Sequence, residues 1–331
     1  MFQIFGINSI ALHAGSLLLT LLESLLLYLA GARLFSPGTG GQASLAYAVA
    51  STNFYTPRII GFTPEQLMVV FTTAAIYVSV RALQSDRAIF LFWSGMLAIA
   101  AVLSKPAAVP ELLIFPLFVM LFPGLPPVRR TRALVWFAIG CMAATSVLLL
   151  TLGSAGTLKP WWIQSVSSRV YYVSQFGWAV FLRQLARQPL TFGLFYFWMW
   201  VLIRWGLRGS GAKQMGCRFV LIWLAAGFLG VLMGRRFYAN YYIQIFPALS
   251  LLAAVGMDRL LQDGLRKSKV PVMVCLITLL LPFLWFQSRT FAHWYFFIDG
   301  GAHQRVNLWE MCVIDRNQGE ISREIRSASR Q

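Results

Sequence analysis

Two adjacent arginines stand among aromatic side chains in the stretch GRRFYANYYIQIFPALSLLAAVG, directly before a long apolar run. An arginine guanidinium is planar and donates paired hydrogen bonds, a geometry that suits phosphate. Tyrosines add hydroxyl groups and flat faces on which a sugar or a prenyl chain can pack. The stretch therefore predicts a binding site for a ligand that carries a phosphate. The binding residues predicted here are Arg235, Arg236, Tyr238, Asn240 and Tyr241.

The same stretch has a second interpretation, in which the tyrosines form an aromatic belt and the arginines extend to the lipid headgroups. A helix that begins near residue 236 would place Arg235, Tyr238 and Tyr242 close to one face. Gly234 is expected to end the preceding helix, because glycine is common directly after a helix. The local pattern alone does not decide between a ligand site and a membrane anchor.

Lys105, in LSKPAAVPE, is a further cationic candidate. Pro106 is expected to break the helix after it. At the end of a span, its ammonium group can hold a phosphate as a point charge. Glu111, a turn or two away, is one candidate ion-pair partner. A lysine that snorkels from a helix end to the membrane surface explains the position equally well.

Glu65 lies in RIIGFTPEQL, where the residue types predict the start of a helix. Thr63 is expected as the N-cap and Pro64 as the first helical residue. The helix dipole favours an acid in the first turn, which is a complete structural account of Glu65. The functional alternative is an acidic site residue that faces an outer cavity and orients a metal or an acceptor.

His13 and Glu23 are ionisable groups within the first apolar run. Such groups are candidates for function inside a membrane, and a hydrogen bond from Glu23 to another helix is the simpler account. The chain has no P-loop or dinucleotide-binding fingerprint. Its four cysteines form no CxxC or Cys/His cluster. No metal site and no cofactor are predicted, metal dependence stays open, and no catalytic base is assigned.

Composition places these residues in a membrane protein. Of 331 residues, 58% are hydrophobic and 12% are charged, and the mean hydropathy is +0.66. A soluble domain is nearer half apolar and a quarter charged. The sequence predicts an all-α, polytopic membrane protein with about ten transmembrane helices. The predicted spans are 10–34, 41–57, 65–82, 88–104, 107–123, 133–152, 190–207, 217–234, 241–257 and 269–288.

The net charge of +17 has a topological meaning. Lysines and arginines concentrate in alternate short loops, which are therefore predicted to be cytoplasmic. Basic residues at a membrane meet anionic headgroups, so nucleic acid is not expected as a partner. Four basic residues of the short outer loops oppose this trend, and an anionic ligand at the outer surface would explain them. They are Arg58, Lys105, Arg235 and Arg236.

Two parts are predicted along the chain, a transmembrane domain over 1–288 and a short tail over 289–331 on the outer side. Residues 153–189 contain several tryptophans and tyrosines among serines and glutamines. This segment is too polar to span, and we expect an interfacial or re-entrant element at the outer surface.

Four stretches resemble the polyprenyl-phosphate-sugar-dependent membrane glycosyltransferases of the GT-C class, which include protein O-mannosyltransferases and lipid A aminoarabinose transferases. The stretches are FGINSIALHAGSLLLTLLESLLLYLAGARLF, GFTPEQLMVVFTTAAIYVSVRAL, GMLAIAAVLSKPAAV and RRFYANYYIQIFPALSLLAA. Their order and spacing over residues 1–290 carry the resemblance. In the last stretch, Asn240 stands where relatives often have histidine.

The resemblance implies a GT-C-like fold in the inner membrane of the cell envelope. It implies transfer of a sugar from a polyprenyl-phosphate carrier to an acceptor lipid, glycan or protein on the periplasmic side. Lys105, Arg235 and Arg236 would hold the lipid phosphate, and Tyr238 and Tyr241 would line the site.

The resemblance also implies a difference. Relatives carry their catalytic aspartate in a first outer loop, and no acidic residue precedes Glu23 here. This chain alone is therefore expected not to transfer sugar, because it is truncated, completed by a second polypeptide, or inactive. Two other functions stay open, a transporter or flippase for an amphipathic anion and a non-catalytic scaffold subunit.

Overall fold

The computed structural model describes most of the chain before residue 263. The described residues are 9–51, 63–85, 87–121, 125–168, 171, 177–208, 215–235, 237–262, 273, 277 and 280. The chain divides into two compact units, Met1–Leu279 and Leu280–Gln331. Only Leu280 of the second unit is described, so the predicted outer-side tail lies outside the described residues and stays a prediction.

Helices account for nearly all of the described part of the first unit. They are α1 (Ser9–Leu34), α2 (Pro37–Ser51), α3 (Pro64–Ser85), α4 (Ala88–Ser104), α5 (Ile114–Leu121), α6 (Pro127–Ser154), α7 (Leu158–Trp162), α8 (Trp178–Phe195), α9 (Phe197–Gly206), α10 (Met215–Met233) and α11 (Phe246–Gln262). A 3₁₀ helix, Pro106–Leu113, leads into α5, and another, Ala239–Ile245, leads into α11. A π-helical turn, Ile163–Ser167, follows α7.

Five helical stretches in the described residues are long and apolar enough to cross a membrane. The stretches are Ala14–Leu34, Pro64–Ser85, Pro127–Ser154, Met215–Met233 and Asn240–Gln262. Two shorter apolar helices are Ala88–Ser104 and Pro106–Leu121. The chain is therefore an all-α, multi-pass membrane protein, as its composition predicts.

The predicted and observed spans differ where the backbone changes its helical type. The predicted span 88–104 coincides with α4. The predicted span 107–123 begins instead as a 3₁₀ helix, because it carries prolines at Pro106 and Pro110, and proline interrupts regular α-helical bonding. The predicted span 190–207 divides between α8 and α9, which separate at Tyr196. Most of the predicted span 269–288 lies outside the described residues.

The helices pack in a sequence that does not follow the chain. α6, α4, α3, α1, α2, α11 and α9 lie each against the next, and α10 packs on α11 and on both 3₁₀ helices. α11 is enclosed by these neighbours, so its residues from Phe246 to Gly256 are all buried. α6 lies at the end of the row and exposes apolar side chains such as Met142 and Leu150, as expected for a helix that faces lipid.

One close helix crossing depends on glycine. A Cβ atom on Gly95 of α4 would lie 2.2 Å from the carbonyl oxygen of Phe137 in α6, and one on Gly140 would lie 2.0 Å from that of Phe92. Small residues allow helix backbones to approach closely in membranes. Glycines at these two positions therefore set the distance between α4 and α6.

Candidate functional site

The start of α3 is fixed by hydrogen bonds within its own sequence. The Gln66 backbone N–H donates to Thr63 Oγ1 at 3.4 Å, and the Thr63 N–H donates to Gln66 Oε1 at 3.3 Å. This reciprocal arrangement is a capping box. Gln66 Nε2 also donates to Ser16 Oγ of α1 at 2.7 Å. The predicted helix start is therefore confirmed, and Glu65 has a fixed place in the first turn.

Glu65 forms an ion pair with Lys105, which directly follows α4. Lys105 follows the last residue of α4 in an extended conformation, with φ of −156°, and its Nζ lies 2.6 Å from Glu65 Oε1. The lysine side chain is 14% exposed and the glutamate side chain 8%. Because the pair is largely withdrawn from solvent, it is a fixed structural link rather than a mobile surface contact.

The predicted ion pair between Lys105 and Glu111 is wrong. Glu111 Oε2 instead accepts a hydrogen bond of 2.6 Å from Thr72 Oγ1 on α3. The 3₁₀ helix Pro106–Leu113 explains the difference. Six residues of 3₁₀ helix extend roughly 12 Å, which carries Glu111 well beyond the reach of the lysine.

A third segment completes the arrangement around Glu65. Asn240 Nδ2 donates to Glu65 Oε1 at 2.6 Å, across 175 residues of sequence. The Lys105 ammonium also lies 3.8 Å from the centroid of the Tyr241 ring, within the range of a cation–π interaction. We call Glu65, Lys105, Asn240 and Tyr241 the Glu65 cluster. Its four members come from the start of α3, the end of α4 and the 3₁₀ helix before α11.

Tyr241 is held in place from both sides of its ring. Tyr238 meets it edge to face, with ring centroids 5.6 Å apart. A Cβ atom on Gly234 would lie 2.5 Å from Tyr241 Cε2, closer than two carbon atoms can approach. Gly234 ends α10 as predicted, and its lack of a side chain leaves the space that the tyrosine ring occupies.

Arg235 lies beside the Glu65 cluster in sequence but contacts a different element. Its guanidinium carbon is 4.9 Å from the centroid of the Trp178 ring, at the start of α8. Arg235 and Phe237 both have positive φ, 51° and 50°, which is uncommon for residues with a side chain. Phe237 is buried and packs on Phe181 of α8, so burial of this ring holds the turn.

This turn corrects the predicted helix start near residue 236. The 3₁₀ helix begins at Ala239, because the positive φ values before it interrupt helical geometry. Tyr242 is fully buried and stacks on Phe192 with ring centroids 4.4 Å apart. It therefore belongs to the core and does not share an environment with Arg235. Arg236 lies outside the described residues, as does Arg58.

Charge is unevenly distributed over the site. The ammonium of Lys105 is matched by the carboxylate of Glu65. Within the described part of the chain, Arg235 has no carboxylate within ion-pair distance and contacts the face of Trp178 instead. The described candidate residues therefore carry one positive charge more than negative, at Arg235.

Two buried carboxyl groups from other helices accept hydrogen bonds further along α3. Thr72 donates to Glu111, and the adjacent Thr73 donates to Glu23 Oε1 of α1 at 2.6 Å. Glu23 and Glu111 are 1% and 7% exposed. The structural interpretation of Glu23, a hydrogen bond to another helix, is confirmed. Sequence reasoning missed its partner, and the TT pair on α3 was the available signal.

No three His, Cys, Asp or Glu side chains come together among the described residues. The side chain of His13 lies outside them. Segment 153–189 contains α7, the π-helical turn and the start of α8, including Trp178. Its predicted place at the outer interface stays a prediction.

The sequence and the fold of this chain are both similar to those of known proteins. Residues 1–152 match the family model described as dolichyl-phosphate-mannose-protein mannosyltransferase. The structure of ArnT from Cupriavidus metallidurans bound to undecaprenyl phosphate superposes with a TM-score of 0.55 at 16% identity. The chain has the fold of the GT-C membrane glycosyltransferases.

The likeness covers 82% of this chain and 50% of the ArnT chain. The protein thus spans about half the length of that GT-C structure. No curated protein matches the sequence. Glu65 and Lys105 lie within residues 1–152, the part of the chain that matches the family model. Asn240, Tyr241 and Arg235 lie beyond residue 152.

Proposed function

We propose that this protein is a membrane glycosyltransferase that transfers a sugar from a polyprenyl-phosphate carrier to an acceptor on the periplasmic side of the inner membrane. The family match over residues 1–152 and the fold shared with ArnT support the class of reaction. The observation that carries the proposal is the convergence of Lys105 and Asn240 on Glu65 at one end of α3, with the Tyr241 ring against the Lys105 ammonium.

The carrier phosphate would be bound by the arginine pair. Arg235 has its charge uncompensated by a carboxylate in the described structure, and Arg236 follows it in sequence. A guanidinium stacked on Trp178 keeps its N–H edge available for phosphate oxygens. Tyr238 is 43% exposed and would line the same site with its hydroxyl.

Lys105 would act beside the arginines rather than alone. Its ammonium is shared between Glu65 and the Tyr241 ring, so its added attraction for phosphate is partly offset. Glu65 and Asn240 would fix the position of this ammonium at the edge of the site. An ion held in advance in this way costs little reorganisation when charge develops on the leaving phosphate.

The reaction would be a displacement at the anomeric carbon. A hydroxyl oxygen of the acceptor forms the new bond to that carbon while the bond to the carrier phosphate breaks, with inversion of configuration. The electron pair of the broken bond goes to the phosphate oxygen, where the cations stabilise it. The hydroxyl proton goes to a general base, for which no residue of this chain is assigned.

Transfer of labelled sugar tests this function. Because the purified chain alone is expected not to transfer sugar, native membrane vesicles from cells that produce the protein are given an undecaprenyl-phosphate-linked radiolabelled sugar together with a lipid extract as acceptor. We expect label to appear in acceptor lipid and to depend on Arg235, with Arg204→Ala as the control that removes an exposed arginine from α9. Label that crosses the bilayer while it stays on its carrier would favour the flippase and contradict the proposal.

A further inference from the structure

Three arginines surround a cavity at the far end of α3. The cavity has a volume of about 50 Å³ and lies where the α3–α4 turn meets the start of α6. Its lining residues are Ala82, Leu83, Arg87, Ala88, Leu91, Leu125, Arg129, Arg132 and Ala133. We infer that this arginine cavity binds the headgroup of an acidic phospholipid.

The charge of the cavity favours a phosphate-bearing ligand. Arg87, Arg129 and Arg132 line it, and no acidic residue is among the other lining residues. Asp86 precedes Arg87 in sequence and lies outside the described residues. The described lining therefore presents three guanidinium groups and no carboxylate. Guanidinium groups bind phosphate oxygens through paired hydrogen bonds.

The backbone places the three arginines on one cavity from two sides. Arg87 is the N-cap of α4, and its side chain forms no capping hydrogen bond. Arg129 and Arg132 are three residues apart in the first turns of α6, so they lie on one face of that helix. The start of α6 adds the positive end of a helix dipole, which also favours an anion.

The apolar lining favours a lipid over a small soluble anion. Leu83, Leu91 and Leu125 line the same cavity as the arginines. Leu121 and Val128, on either side of Leu125 in sequence, are 66% and 80% exposed, as expected for side chains in contact with acyl chains. A glycerophospholipid matches both features, with a phosphodiester for the arginines and hydrocarbon for the leucines.

This cavity is separate from the Glu65 cluster. Glu65 lies in the first turn of α3 and Leu83 in its last turn. Their separation along the helix axis is roughly 27 Å, close to the thickness of the hydrocarbon core of a bilayer. A ligand in the arginine cavity therefore belongs to the opposite end of the transmembrane helix, which the positive-inside pattern predicts to be cytoplasmic.

Native mass spectrometry of the full chain, released from nanodiscs, tests the inference. One nanodisc contains phosphatidylcholine with phosphatidylglycerol, and the other contains phosphatidylcholine alone. We expect phosphatidylglycerol to stay bound to the wild-type chain. The triple variant Arg87→Gln, Arg129→Gln, Arg132→Gln is expected to lose affinity by a factor of about 10 to 100.

The control removes the same charge from other exposed positions, with Arg204→Gln, Arg208→Gln and Arg218→Gln. None of these three lines the cavity. We expect the control to retain phosphatidylglycerol within about twofold of wild type. Equal losses in both triple variants would mean that bulk charge binds the lipid, and unchanged binding in the cavity variant would overturn the site.

Two further experiments distinguish loss of the site from misfolding, and a lipid headgroup from a free phosphate ion. The variant with lysine at all three cavity positions keeps the charge, so we expect it to retain phosphatidylglycerol better than the glutamine variant. Loss of binding to the same extent in both, with unfolded protein excluded by gel filtration, would contradict a charge-based site. Inorganic phosphate that displaces the lipid at millimolar concentration would assign the cavity to a free anion instead.

Discussion

Lys105 Nζ and Glu65 Oε1 lie 2.6 Å apart across 40 residues of sequence. This contact joins the end of α4 to the start of α3, and Asn240 donates to the same glutamate oxygen. The Glu65 cluster is therefore organised around one carboxylate that accepts hydrogen bonds from two distant segments. The role proposed for Glu65 is to hold its cationic and amide partners in place.

A double-mutant cycle on Glu65 and Lys105 measures this coupling. We expect Glu65→Gln and Lys105→Met each to lower the free energy of unfolding by about 2–3 kcal/mol, because each removes one charge from a largely buried ion pair. The double variant is expected to recover about 1–2 kcal/mol of the sum. The measurement is unfolding in mixed detergent micelles.

The exposed pair Arg33 and Gln84 is the matched control for that cycle. Arg33 donates to Gln84 Oε1 at 3.2 Å on the surface. Its coupling is expected below about 0.5 kcal/mol. If the Glu65–Lys105 cycle gives a coupling equally small, the ion pair does not organise the site.

The hydrogen bond from Asn240 to Glu65 can be tested by a substitution that replaces the donor nitrogen with an oxygen. Asn240→Asp replaces the donor Nδ2, which lies 2.6 Å from Glu65 Oε1, by a carboxylate oxygen. Two negative oxygens at that distance repel, so we expect a loss of stability of about 2 kcal/mol or more at neutral pH. Asn240→His keeps a donor, and we expect a smaller loss. Greater damage from histidine than from aspartate would contradict the hydrogen-bond assignment.

Gly234 is predicted to tolerate no side chain while Tyr241 is present. The Cβ atom of Gly234→Ala would overlap the tyrosine ring and displace it from Lys105. We expect a loss of about 1–3 kcal/mol of stability. Tyr241→Ala in the same chain should remove most of the additional cost of Gly234→Ala.

Gly153→Ala supplies the control, because no atom lies within 4 Å of a Cβ placed there. This change is expected to be neutral or slightly stabilising, since alanine favours a helix more than glycine. Equal losses from Gly234→Ala with and without the tyrosine would show that the ring is not the obstacle.

Thr72 is predicted to matter through a single hydroxyl group. Thr72→Val keeps the shape of the side chain and removes the donor to Glu111. Glu111 Oε1 already has no hydrogen bond in the described residues, so the whole carboxyl would lose its described partner. We expect a loss of about 1–3 kcal/mol. Thr151→Val, at an exposed position of α6, should cost under about 0.5 kcal/mol.

Local signals in the sequence are sufficient for two helix boundaries, the start of α3 and the end of α4. TPEQ predicts the start of α3, because Thr63 as N-cap, Pro64 and Glu65 are neighbouring signals, and the structure adds a capping box between Thr63 and Gln66. Lys105 followed by Pro106 predicted the end of α4, since proline prevents helix continuation. Composition predicts a membrane protein, because several membrane-spanning helices require a high share of apolar residues.

Contacts between distant segments are not predicted by local patterns. Proximity in sequence favours Glu111 as the partner of Lys105, but the 3₁₀ helix makes that distance too great. Helical periodicity places Tyr242 on the same face as Arg235, but two positive φ angles interrupt the periodicity. Asn240 reaches Glu65 only because α10 and α11 bring the chain back to α3. Such pairings depend on tertiary packing, which one sequence does not encode in any short pattern.

The central claim is that the arginine pair binds a polyprenyl phosphate. Its most direct test is the dissociation constant of undecaprenyl phosphate for the double variant Arg235→Ala, Arg236→Ala, measured in detergent. The double variant Arg204→Ala, Arg208→Ala is the control protein. Uncharged undecaprenol is the control ligand. We predict that the first variant binds undecaprenyl phosphate more weakly by about tenfold or more, that the second binds like wild type, and that undecaprenol affinity does not change. Equal affinity of the Arg235, Arg236 variant and the wild type for undecaprenyl phosphate would contradict the claim.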